Sequence, residues 1–201
     1  MTGRRWRQLL IIAAVLIMTF TPLNVQAASK RSKAVKAYRE MLASGGWSAF
    51  SLISLDKDKI PELVAYRHQG YSSTSGNYCV YTYRKGRVVL VANMGYSFGY
   101  YKKKGVLFTV DSIVPRWGGE EYHILKNGKV NYRLIHVSSG SATGVPDGYM
   151  KANAAGTKRS GISAAKFRKL LKRATGNAKL IQSREMKFYQ NTEENRNVML
   201  K

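Results

Sequence analysis

Three turns of one kind punctuate the middle of this chain: Arg84-Lys85-Gly86, Lys103-Lys104-Gly105 and Lys126-Asn127-Gly128. Each places glycine where a hairpin needs positive φ, and Asn127-Gly128 is the strongest hairpin signal present. The runs around them are short and β-rich, at residues 50–55, 62–68, 77–83, 88–94, 97–101, 106–111, 120–125 and 130–137. The turn glycines recur at intervals of 19 and 23 residues, a loose period of one hairpin per unit. An antiparallel meander of about 6–8 strands follows. Lys before Gly suits a two-residue loop or a three-residue one at Gly86 and Gly105, and that choice decides the register. A two-residue loop at Asn127-Gly128 sets His123 opposite Tyr132 and His136 near Gly119.

Helical patterns flank the strands. Residues 33–43 carry Val35, Tyr38 and Leu42 on one stripe and stop at Gly45-Gly46. Ser163 caps a second helix through Ala174, with Phe167, Leu170, Leu171 and Ala174 inward and Gly176 as the stop. Thr192 caps a third, 193–200, whose leading Glu193 and Glu194 suit the helix dipole. The fold class is therefore α+β, a meander with one N-terminal and two C-terminal helices laid on it; a curled sheet resembling part of a propeller is the alternative.

The first 28 residues have the parts of a cleavable signal peptide: Arg4, Arg5 and Arg7, an apolar run from Leu9 to Phe20, and small residues before a cut after Ala27. The run is too short to span a bilayer as a helix. Residues 29–33 read as a linker and 34–201 as a single secreted domain, extracellular and free of a membrane span. No cysteine stands at the cut to accept lipid. Formal net charge is +23; removing three leader arginines leaves 23 less 3, or +20. Such a field favours anionic partners: phosphate-bearing cell-wall polymer or glycan, or anionic lipid, with nucleic acid not expected after export. A plainly solvated surface is the alternative. The basic face is drawn from Lys102, Lys103, Lys104, Lys166, Arg168, Lys169, Lys172 and Arg173. Cys79, the only cysteine, shares a strand face with Tyr81 and Tyr83 and reads as a small buried hydrophobe.

One loop carries metal-binding chemistry. In Leu55-Asp56-Lys57-Asp58-Lys59-Ile60-Pro61-Glu62-Leu63, Asp56, Asp58 and Glu62 can converge in a tight turn, as oxygen ligands do around calcium. This stretch resembles the D-x-D-G-D-G-I-P-E-L loop of a family of uncharacterised secreted proteins of Gram-positive bacteria. The tyrosine-bearing first helix, the Phe50-Ser51-Leu52-Ile53 strand, Tyr83-Arg84-Lys85-Gly86, the 162–175 helix and the closing Phe188-Tyr189-Gln190-Asn191-Thr192-Glu193-Glu194-Asn195 are similar to that family too, and the likeness runs over most of 35–200. It implies the EF-hand-like loop and export, and no activity. Here Ser54 stands at the first acidic position and Lys59 at the turn glycine, which costs a carboxylate and the residue suited to positive φ.

Catalytic groups are sparse: three histidines, and four Asp and seven Glu, all beyond the leader. Ser163-Ala164-Ala165-Lys166 matches an S-x-x-K pattern at a helix start, yet lacks the companion motifs, and a cap explains the serine. Gly140-Ser141-Ala142-Thr143-Gly144 lacks the order of a nucleophile elbow. Tyr96, Phe98, Tyr100, Tyr101 and Trp117 form a candidate glycan-stacking group, or else pack as strand aromatics. The expected function is a non-enzymatic, surface-associated binding domain held on anionic wall polymer. Its alternatives are a calcium-stabilised module and, last, a cell-wall hydrolase.

Overall fold

The computed structural model describes residues 30–68, 76–95, 97–111, 117–139 and 148–201. The leader, Tyr96, the Trp117 side chain and the Gly140–Gly144 loop lie outside the described residues.

The strands divide into two antiparallel sheets instead of one meander, and the propeller-like alternative has no support. In the five-stranded sheet β1 (Ala49–Ile53), β2 (Glu62–His68), β3 (Gly76–Arg84) and β4 (Arg87–Asn93) follow one another, and β12 (Tyr189–Gln190) joins beside β1. In the seven-stranded sheet β5 (Gly99–Tyr101), β6 (Val106–Asp111), β7 (Trp117–Lys126), β8 (Lys129–Ser139), β9 (Gly148–Asn153) and β10 (Arg159–Gly161) run in order, and β11 (Leu180–Gln182) adds to the other side of β5. The described residues hold more strands than the expected 6–8: the eight β-rich runs become β1–β8, and β9–β12 lie beyond them, of which β10, β11 and β12 have three, three and two residues, too few to show alternation. The bend between the sheets follows Asn93, whose Oδ1 accepts the Gly95 N–H at 3.2 Å while Gly95 takes a φ of 64°.

Alternation along the strands sorts side chains into three apolar layers. Val64, Val80, Met94, Phe98, Tyr100 and Leu107 meet between the sheets. Leu63 and Ala65 point the other way, under α1 (residues 30–44), where Val35, Tyr38 and Leu42 cover them. Val106, Phe108, Tyr122, Ile124 and Leu134 face Phe167 of α2 (Ala164–Thr175). Leu200, just past α3 (Glu193–Met199), completes the α1 layer, and Asn191 Nδ2 donates to the carbonyls of Leu42 (2.9 Å) and Trp47 (3.0 Å). The first helix takes in residues 30–33, which composition alone assigns to a linker.

Turn geometry sets the registers. Lys85 (φ 49°) and Gly86 (φ 79°) make a two-residue loop closed by Arg84 opposite Arg87, and Asn127-Gly128 does the same between Lys126 and Lys129. The third turn is neither two nor three residues: Tyr101 pairs with Val106, so four residues, 102–105, form the loop. Its amides face the other sheet, Lys103 N–H donating to Ser54 O (2.9 Å) and Gly105 N–H to Leu55 O (2.7 Å). The register expected for the histidines is also corrected. A bulge at Ile124/Leu125 inserts one residue into β8, so His123 faces Arg133, not Tyr132, and His136 faces Glu120, not Gly119.

Candidate functional site

The β1–β2 loop holds its acidic residues as the spacing predicts. Asp56 Oδ1 accepts the Asp58 N–H (2.9 Å) and Asp58 Oδ1 accepts the Ile60 N–H (2.8 Å), which curls the loop on itself. Glu62, only 2 % exposed at the start of β2, accepts the Leu55 N–H on Oε2 at 2.9 Å. The buried Tyr38 hydroxyl of α1 donates to Pro61 O (3.0 Å) and anchors the loop's end. Carboxylate oxygens of Asp56, Asp58 and Glu62 lie within 4.8 Å of one another. Burial above all, then the charges of Asp56 and Asp58, push the Glu62 carboxyl up to about 8 against the partial relief of the Leu55 N–H. Burial raises Asp58 as well. Three carboxyls thus fit a hard cation, and binding one would displace the proton that Glu62 holds at neutral pH. Lys59 is not among the residues with positive φ, so the loop closes without the left-handed step that a glycine there supplies. Lys57 and Lys59 are exposed.

Beside this loop opens a cleft of about 640 Å³, lined by Asp56, Lys57, Asp58, Arg84, Lys103, Lys104, Gly105 and Asn127 among others. Residues from the acidic loop and from all three basic turn regions therefore share one opening. Sequence reasoning placed Arg84 and Asn127 in turns and assigned neither to a site. The signal was available, because alternate turns of a meander fall at the same end. Arg84 Nη1 is buried with no hydrogen-bond partner among the described residues, 3.4 Å from where a Cβ on Gly128 would stand.

Of the cationic segments named from sequence, one point of approach is seen, at Lys104. Its Nζ lies 3.4 Å from the position of a Cβ on Gly176, the residue that ends α2 by donating its N–H to Lys172 O (2.8 Å). An ammonium there meets the negative end of the helix dipole. Lys166, Lys169 and Arg173 fall on one stripe of α2 and line a shallow groove of about 510 Å³ with Ala165 and Leu170. Arg168 and Lys172 are exposed beside it, and the Lys172 ammonium reaches Asn177 Oδ1. Among the described residues the ion pairs fall on Glu120, Glu121 and Glu185, and none involves Lys102, Lys103, Lys104, Lys166, Arg168, Lys169, Lys172 or Arg173.

Other candidates fall elsewhere. Phe98 (2 % exposed) and Tyr100 (8 %) stack on each other between the sheets, 6.3 Å apart, so they belong to the core and are not a sugar platform. Tyr101 is half-buried against the α2 layer. Burial raises the Cys79 thiol. Ser163 Oγ accepts the Lys166 N–H at 3.2 Å, the work of a helix cap. Sequence reasoning passed over one buried group. Glu121 Oε1 lies 2.9 Å from His123 Nε2 and accepts from Arg133 Nη1 at 2.7 Å. Burial alone would raise the Glu121 carboxyl, but these two partners outweigh it and hold it at about 2.

No protein-family model matches the chain. A search of curated proteins found no match either. Among solved structures the chain is similar to one titled "Structure of a Xanthomonas Type IV Secretion System related protein", with 13 % identity and a TM-score of 0.40 over 57 % of this chain and 57 % of that one.

Proposed function

We propose that this chain is an exported, non-enzymatic binding domain that holds an anionic surface polymer, of the phosphate-bearing cell-wall kind, on its cationic face. The observation that carries this reading is the seat of the Lys104 ammonium at the C-terminal end of α2, which brings one cation of the 102–105 turn to the helix that bears Lys166, Lys169 and Arg173. Among the described residues these cations make no ion pair, which leaves their charge to act on an extended polyanion. The unmatched Arg84 Nη1 at the neighbouring cleft adds to that field. The signal-like leader and the resemblance to secreted proteins of Gram-positive bacteria support the compartment.

Retention on purified cell walls across a salt series tests it. Screening shortens from about 10 Å at 0.1 M salt to about 3 Å at 1 M, so charge-driven retention falls steeply over that range. A combined Lys166→Gln, Lys169→Gln, Arg173→Gln variant elutes at lower salt than the parent. Salt-insensitive retention overturns the reading.

The convergence of Asp56, Asp58 and Glu62 favours a second reading, a calcium-stabilised module. A ligand bound only by the folded state at about 100 times its Kd adds about 2.7 kcal/mol, so calcium against chelator shifts the thermal midpoint upward. An unmoved midpoint at millimolar calcium removes that reading and leaves the first intact.

A further inference from the structure

The face of the seven-stranded sheet turned away from α2 ends in a polar group. Thr109 pairs across from Glu121 and His123 across from Arg133, so alternation sets all four on the side of the other sheet. A small cavity of about 140 Å³ lies there, between the Asn93–Gly95 bend and β7, lined by Asn93, Met94, Thr109, Val110, Glu121 and His123. His123 is 3 % exposed, and its Nδ1 is buried without a hydrogen-bond partner among the described residues. Leaving a buried polar atom unmatched is unfavourable, and native folds do so sparingly.

We propose that this cavity binds a vicinal diol, as presented by a short polyol or one edge of a sugar, with Glu121 and His123 as its acceptors. Glu121 is an ionised carboxylate whose Oε1 takes both protein donors, His123 and Arg133, and whose Oε2 has no partner among the described residues. In the tautomer that carries its hydrogen on Nε2, toward Glu121, the His123 ring offers a lone pair at Nδ1. Asn93 Oδ1 is engaged by the Gly95 N–H, which leaves the Asn93 amide hydrogens to donate. Two acceptors and a donor around one small space match adjacent hydroxyls, each of which gives and takes a hydrogen bond. Arg133 already neutralises Glu121, so an ammonium ligand gains little there. The volume suits about six non-hydrogen atoms, since a cavity of roughly 150 Å³ accommodates benzene. The site is separate from the cationic face and does not rest on it.

The test is titration of the full chain, followed by amide and imidazole NMR, with glycerol, propane-1,3-diol and ethanolamine. Glycerol is expected to give saturable shifts confined to Asn93–Gly95, Thr109–Val110 and Glu121–His123, at least tenfold tighter than propane-1,3-diol. Replacing His123→Phe abolishes them; if that variant does not fold, Asn93→Leu at the exposed rim must weaken them at least tenfold. Absence of saturable shifts in the parent overturns the proposal. So does ethanolamine binding more tightly than glycerol, which would make this a cation site, or equal response to the two diols.

Discussion

Replacing Glu62→Gln should leave the fold unchanged at pH 4 and make it more stable than the parent at pH 8. The Glu62 carboxyl moves from an ordinary 4.5 to about 8 on folding, chiefly because burial strips its water. Between those values the folded chain keeps a proton that the unfolded chain has released. This stabilisation is therefore complete below pH 4.5 and lost as pH rises through about 8. Each unit of that window is worth about 1.4 kcal/mol, so the full loss is about 5 kcal/mol, several times a typical single-site effect. A glutamine keeps an acceptor for the Leu55 N–H, now at 2.9 Å, and never ionises. Urea unfolding followed by aromatic fluorescence at pH 4, 5, 6, 7 and 8, in chelator, should give coincident curves at pH 4 and a widening gap above it. Asp58, raised by burial too, adds to the slope in both proteins and cancels from the difference. Parallel pH profiles would refute the placement of Glu62 as a protonated, dry carboxyl. Saturating calcium should narrow the gap, because the ion supports the ionised form that glutamine cannot adopt.

Glu121 acts in the opposite direction. Held at about 2, it contributes stability that is present above pH 4.5 and lost as pH falls through about 2, up to about 3 kcal/mol, so acid unfolding of Glu121→Gln should be less steep in that range. Lys85 occupies the left-handed region at φ 49° beside Gly86, and Lys85→Asn should raise stability by about 0.5–1 kcal/mol in the same denaturation assay. Leu107, fully buried between the sheets, should cost about 2–5 kcal/mol as Leu107→Ala.

Much of the local structure was legible in the chain because it follows from short-range rules. The strands at Glu62–His68 and Val106–Asp111 match the alternating runs residue for residue, and Ser163 and Thr192 cap the helices assigned to them. The bend that splits the strands into two sheets was not legible, since antiparallel runs read alike whether they share one sheet or two. Nor was the bulge at Ile124/Leu125, which arises within a run of uninterrupted β pattern. The β5–β6 loop length was missed for a related reason: Lys103 and Gly105 donate to Ser54 and Leu55, about fifty positions away. Of the candidate site, the acidic loop was visible in its spacing. Its sharing of a cleft with Arg84, Lys103 and Lys104 is a consequence of that same long-range docking.

That docking also ties the two proposed charge sites together. Two sheets joined only by an apolar layer have little to fix their alignment, because hydrophobic contact is non-directional. The backbone hydrogen bonds from Lys103 to Ser54 and from Gly105 to Leu55 supply that direction. They also hold the basic turn against the strand that leads into Asp56 and Asp58, while Lys104 reaches across to the end of α2. The acidic loop lines the same cleft as Lys103 and Lys104 and so draws down the positive potential there. A cation taken up by Asp56, Asp58 and Glu62 would cancel that effect and strengthen attraction for polyanion. Because coupling between two binding equilibria is reciprocal, polyanion would in turn tighten cation binding by the same factor. The acidic loop and the cations of the β5–β6 turn then line one cleft, held together by a four-residue turn.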